Sequence, residues 1–167
     1  MPMFTRAAVA AALLAAAPIV SAANATDTMS VSLTIQNACT ITANPMDFGA
    51  QTTVTAAIDS ATTVAVACSA SGGPVAVTFG TGTGAGATFS TRKLTNAAAT
   101  ATIDYSLYID TARNSPLGDG TAAGGAAFSA TSTGSTQTFD VYGRVASGQG
   151  VKPVGTYTDT VVATVTF

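Results

Sequence analysis

The 167-residue chain has no histidine, no tryptophan and no glutamate, and only 8% of its residues are charged. Each absence removes a kind of chemistry. Without an imidazole there is no Ser-His-Asp or Cys-His nucleophile and no base that titrates near neutrality. A carboxylate pair would have to be built from the eight aspartates, which fall in separate loops and strand ends where turn formation and surface charge account for them. Two cysteines without an imidazole leave too few ligands for zinc. Asp110, Asp119 and Asp140 share no loop with the alternating oxygen ligands that bind calcium in an EF-hand. The absence of tryptophan removes the usual exposed aromatic of a sugar-binding face. Beyond the N-terminal stretch the basic residues are Arg92, Lys93, Arg113, Arg144 and Lys152. They are scattered, without the clustered footprint of a nucleic-acid partner. The expectation is a protein that is not an enzyme and takes no cofactor or metal.

Long apolar runs are scarce too. One stands out, residues 7–20, preceded by a short segment with a single arginine, Arg6. It is too short to span a bilayer comfortably. Small residues follow at Ser21, Ala23 and Ala25. This is the layout of a secretory signal peptide, residues 1–25, removed on export. The sequon Asn24-Ala25-Thr26 straddles the cleavage point and is discounted. No later run is long enough to cross a membrane.

What is abundant is threonine, alanine, glycine, valine and serine, with apolar residues at period two. Met29, Val31, Leu33 and Ile35 make one face; Cys39 and Ile41 continue extended. Residues 62–68 align Val64, Val66 and Cys68, and residues 74–80 align Val75, Val77 and Phe79. Residues 103–110 align Ile103, Tyr105, Leu107 and Ile109; residues 136–144 align Phe139 and Val141, with Tyr142 facing the other way. Glycine-rich turns lie between, at 71–74, 80–86, 118–120, 124–125 and 148–155. Gly82-x-Gly84-x-x-Ala87 faintly resembles a dinucleotide-binding turn, but no helix pattern follows and it reads as a flexible loop. Short alternating strands in a single domain of this size predict an antiparallel β-sandwich. Cys39 and Cys68, an even count in an exported chain, read as one disulfide rather than two buried thiols.

The final residues, 155–167, alternate to the last position, with Tyr157, Val161, Ala163, Val165 and Phe167 on one face and Asp159 as the polar exception. They read as a terminal strand with no partner after it, an edge whose backbone groups need covering.

The second half resembles a known family. The residues that carry the resemblance are 102–113, Gly118-Asp119-Gly120, Tyr142-Gly143-Arg144 with Gly148-Gln149, and Gly155-Thr156-Tyr157-Thr158-Asp159-Thr160. In the first half Cys39-Thr40-Ile41, Phe48-Gly49 and 64–68 also fit. The chain is similar to the spore coat protein U domain, a family that includes the pilins of the archaic, Csu-type chaperone–usher pathway. Two departures are Leu117, where an aromatic or larger residue is expected, and Arg92-Lys93 in place of an arginine pair.

The resemblance implies an all-β fold: an incomplete immunoglobulin-like antiparallel β-sandwich lacking its final strand, over residues 37–167. It implies a structural subunit of a fimbrium, polymerised by donor-strand exchange in cell adhesion and biofilm formation. A single domain favours a shaft or adaptor role over the tip. The partners implied are a periplasmic pilus chaperone, an outer-membrane usher and neighbouring pilin subunits. Residues 26–36 become the donor segment, through Met29, Val31, Leu33 and Ile35, and the terminal strand becomes the acceptor edge. Fully extended, eleven residues reach about 36 Å, and burying four such side chains contributes roughly 6–12 kcal/mol before ordering costs. Arg113 and Arg144 are expected to tie loops and strands together. The rival reading is a self-complete secreted coat protein of the same family, in which residues 28–35 are the domain's own first strand.

Overall fold

The computed structural model describes residues 21–167; the signal peptide expected at residues 1–25 lies almost wholly outside them. The chain divides between Leu33 and Thr34. Residues 21–33 form no strand. Residues 34–167 carry nine strands: β1 (Cys39–Ala43), β2 (Ile58–Cys68), β3 (Ser71–Phe79), β4 (Arg92–Asn96), β5 (Thr102–Tyr108), β6 (Phe128–Thr133), β7 (Thr136–Val145), β8 (Tyr157–Thr158) and β9 (Ala163–Thr166). No described residue is helical. One sheet has the order β1-β2-β7-β5-β4-β8 and the other β6-β3-β9, with every pair of named strands antiparallel.

The core forms where the two alternating faces meet. Val64, Val66 and Cys68 of β2, Tyr105 and Leu107 of β5 and Val141 and Val145 of β7 pack with Val75, Val77 and Phe79 of β3 and Phe128 of β6. The predicted disulfide joins Cys39 to Cys68 across the β1–β2 ladder. Leu117 is fully buried, so the smaller side chain fills its place without leaving it open to solvent.

Three sequence expectations need correction. The turn expected at 71–74 lies inside β3, which bulges between Ser71 and Pro74. β4 and β6 were not expected, because their inward positions are not apolar in series. Arg92 leads β4's inward face, and β6 turns Phe128, Ala130 and Ser132 inward. Ser132 is buried, its hydroxyl donating to the Ala70 carbonyl. The terminal segment is not one strand: β8 pairs with β4 in the larger sheet and β9 with β3 in the smaller, so the chain crosses between sheets over residues 159–162. Residues 29–35 join no ladder among the described residues.

Candidate functional site

β9 hydrogen-bonds to β3 on one side only; its other edge has no partner among the described residues. β1, the edge of the larger sheet, comes alongside β9 without forming a ladder to it. The sandwich is open between these two edges. A cavity of ≈ 370 Å³ lies there, walled by Ala43 of β1, by Val64, Leu107 and Val141 of the larger sheet, by Phe79 and Ala163 of the smaller, and by Val161 of the crossing between them. A second of ≈ 630 Å³ continues the opening past Ile58, Ile103, Val145 and Tyr157. Met46, Phe48 and Leu94 line both, so the two form one groove, lined mostly by apolar side chains.

The motif Tyr142-Gly143-Arg144 shapes this groove from β7. Gly143 turns inward, and a side chain there would overlap Met46 and crowd the Phe48 ring; its absence lets residues 46–48 lie over the strand. Phe48 then packs edge-on against Tyr105, with ring centroids 6.0 Å apart. On the outer face Arg144 makes a two-toothed pair with Asp59 at 2.7 and 2.8 Å. Arg113 sits 3.4 Å from the same carboxylate, donates to the Gly143 carbonyl and lies 5.9 Å from the Tyr142 ring centroid. The hydrogen bond from Arg144, with both guanidinium charges, holds Asp59 below its ordinary pKa against the opposing effect of desolvation. Both arginines tie strands and loops together, as expected.

Among the residues that line the first cavity, Asp159 is the one that is charged. Asp159 lies where the chain crosses from β8 to β9. Its Oδ1 accepts from the Thr83 amide (2.7 Å), the Thr83 hydroxyl (2.8 Å) and the Thr160 amide (2.8 Å). Its Oδ2 accepts from the Tyr105 hydroxyl at 2.8 Å. Partial burial raises the Asp159 pKa, but the four hydrogen bonds outweigh it and the net direction is downward. Burial and the bond to Asp159 push the Tyr105 phenol far upward. The Gly82-x-Gly84 turn is thus a cradle for a carboxylate of its own chain. Gly82 has φ +89°, and a side chain there would overlap Asp159.

Beneath the turn, Arg92 is fully buried and donates to the carbonyls of Gly80 (2.9 Å), Phe89 (2.9 Å) and Leu117 (2.8 Å). Burial holds its guanidinium below the ordinary value, and Tyr105 and Asp159 nearby oppose that shift. Neither Arg92 nor the role of Asp159 was foreseen. The signals were Asp159 itself, a carboxylate on an otherwise apolar face, and Arg92-Lys93 at the place of the family's arginine pair.

The predicted acceptor residues divide. Val161 and Ala163 line the first cavity and Tyr157 the second. Val165 packs against the core but lines neither. Phe167 is half exposed at 52% and lies just beyond the ladder to β3, which ends at Thr166. The predicted donor residues lie outside the core. Met29, Val31, Leu33 and Ile35 are 78–88% exposed. Just after them the chain is clasped to the β2–β3 turn. Asn37 Oδ1 accepts from the Ala70 amide (3.1 Å), the Ala38 amide donates to Ser69 Oγ (3.0 Å), and the Ser69 amide donates to the Ala38 carbonyl (2.9 Å).

An all-β, immunoglobulin-like sandwich of antiparallel sheets, open along one edge beside an apolar groove, defines the class of protein. The Spore Coat Protein U domain model matches residues 25–164, and the chain belongs to that family. It is similar to Protein U of Myxococcus xanthus, with 45% identity over 76 residues, 46% of this chain and 40% of that protein. Its fold is similar to a chain in the crystal structure of the CsuC–CsuE chaperone–tip adhesion subunit pre-assembly complex from archaic chaperone–usher Csu pili of Acinetobacter baumannii. That match has a TM-score of 0.57 and 19% identity, over 80% of this chain and 41% of the other. The chain therefore spans about two fifths of each protein's length.

Proposed function

We propose that this chain is a structural subunit of a chaperone–usher fimbrium, polymerised by donor-strand exchange and serving attachment and biofilm formation as a shaft component. The observation that carries the reading is the unpartnered edge of β9, which borders an apolar groove in a chain whose Met29, Val31, Leu33 and Ile35 face solvent. An open edge beside exposed core is costly, and adding a strand removes both costs at once: main-chain hydrogen bonds complete the ladder while alternate side chains fill the groove. On this reading a periplasmic chaperone covers the groove first, and residues 26–36 of a neighbouring subunit replace it at an outer-membrane usher. The Csu complex, in which a chaperone holds a pilus subunit before assembly, supports that order.

The test adds a second copy of residues 26–36 after Phe167 through a short flexible linker. The expected result is a monomer with a markedly raised melting temperature. An unchanged melting temperature, with an intact chain that never polymerises, would favour the self-complete coat protein instead.

A further inference from the structure

Period-two burial leaves an ambiguity in the terminal segment. From Tyr157 to Val165 every odd residue turns inward and every even one outward. A slip of one residue would turn the segment inside out, but a slip of two keeps the same face on the core. The apolar pattern alone therefore does not decide which residue of the segment stands opposite which residue of β3. No ladder spans residues 159–162 to decide it either.

Asp159 removes the ambiguity. It is the one inward position of this run that is charged, and it is held from both sides of the groove: by Thr83, in the loop after β3, and by Tyr105, on β5 of the other sheet. Slipping the segment by two in either direction would carry the carboxylate away from its three donors on Thr83 and Tyr105, to a level now occupied by Val161 or Tyr157, with only the adjacent Thr160 amide moving with it. A carboxylate that loses most of its partners on an apolar wall is strongly unfavourable. Only one register satisfies it.

We propose that Asp159 is a positioning residue for strand addition: it fixes the register of the β9 edge, and so decides which residue of an incoming strand meets each pocket of the groove. This rests on the donor-strand reading above. Asp159 adds no contact of its own to that reading; it selects one alignment among those that the apolar alternation permits.

The probe is a set of synthetic peptides of residues 26–36, each with one cysteine at an outward position, 28, 30, 32 or 34. The full chain carries Thr164→Cys on the outward face of β9, and disulfide formation under a mild oxidant reports which positions meet. With Asp159 intact, one peptide of the four should dominate. With Asp159→Asn, which cannot accept from both Thr83 and Tyr105 as the carboxylate does, the preference should fall by about tenfold and spread to positions two residues away, the size expected for losing one hydrogen bond to a charged group. Tyr105→Phe removes a single hydroxyl and should spread the crosslinks in the same direction, giving a reading if Asp159→Asn fails to fold. An undiminished preference in the folded variants would overturn the role of Asp159 while leaving strand addition intact. Failure of every peptide to join the parent chain would overturn both.

Discussion

Residues 29–35 and residues 157–165 follow the same rule of composition, an apolar or inward residue at every second place, yet they meet opposite fates. In the terminal segment the odd residues are half buried, and β9 is laddered to β3. In the N-terminal segment the side chains of Met29, Val31, Leu33 and Ile35 are almost fully exposed and no ladder forms. Alternation specifies a face that needs covering, and does not specify what covers it. The terminal segment also has Asp159 to hold it in one place, while the N-terminal run contains no buried polar anchor. The proposed donor exchange draws on both: an edge held in one place, and an exposed alternating segment to add to the edge of another copy.

The comparison breaks most visibly if the free segment is made polar. Leu33→Asp should abolish fibre growth, because a carboxylate cannot enter an apolar groove unpaired. It should leave the melting temperature of the isolated subunit unchanged, since Leu33 is 88% exposed. Electron microscopy and a thermal melt together check this. A lowered melting temperature would mean that the segment packs on its own domain.

The fixed region should respond in the opposite way. Replacing Cys39 and Cys68 by alanine removes the covalent tie between β1 and β2 beside the groove and should destabilise the subunit by about 2–5 kcal/mol. Denaturant unfolding with and without reductant measures it.

Much of this division was legible in the sequence. The sandwich, the disulfide and the exceptional Asp159 follow from alternation, from an even cysteine count and from one charge on an apolar face. β4 and β6 were not legible, because a buried guanidinium and a buried hydroxyl break the apolar series that marks a strand. Arg92 reads as a surface residue until the carbonyls of Gly80, Phe89 and Leu117, far apart in sequence, are seen around it. The switch of sheets within residues 157–166 escaped for a related reason. Period two continues unbroken through the crossing, and only the hydrogen-bond ladders reveal that the partner has changed.

A smaller effect comes from pH. The folded Asp159 has a pKa below its ordinary 3.8. Its contribution is therefore fully present above about pH 4, and falls away as pH drops through the depressed folded value. Asp59 shifts in the same direction through Arg144. The melting temperature should thus decline below pH 4, and the decline should be shallower in Asp159→Asn. Equal slopes in the two proteins would place the acid sensitivity elsewhere.

The smallest expected effect lies where the two kinds of segment meet. Asn37 stands between the exposed run and β1, and its side chain accepts from the Ala70 amide at 3.1 Å. Asn37→Ala should cost the domain about 1 kcal/mol, the usual worth of one such bond. Its larger consequence is directional. With the Asn37 contact gone, the chain before Cys39 is held to the β2–β3 turn by the two bonds between Ala38 and Ser69 alone, so the segment leaves the domain over a wider range of angles. Fibres of this variant should assemble at a similar rate but bend more, measured as a shorter persistence length in micrographs. Equal stiffness would show that the path of the free strand is set after it enters the next subunit, and not at its root.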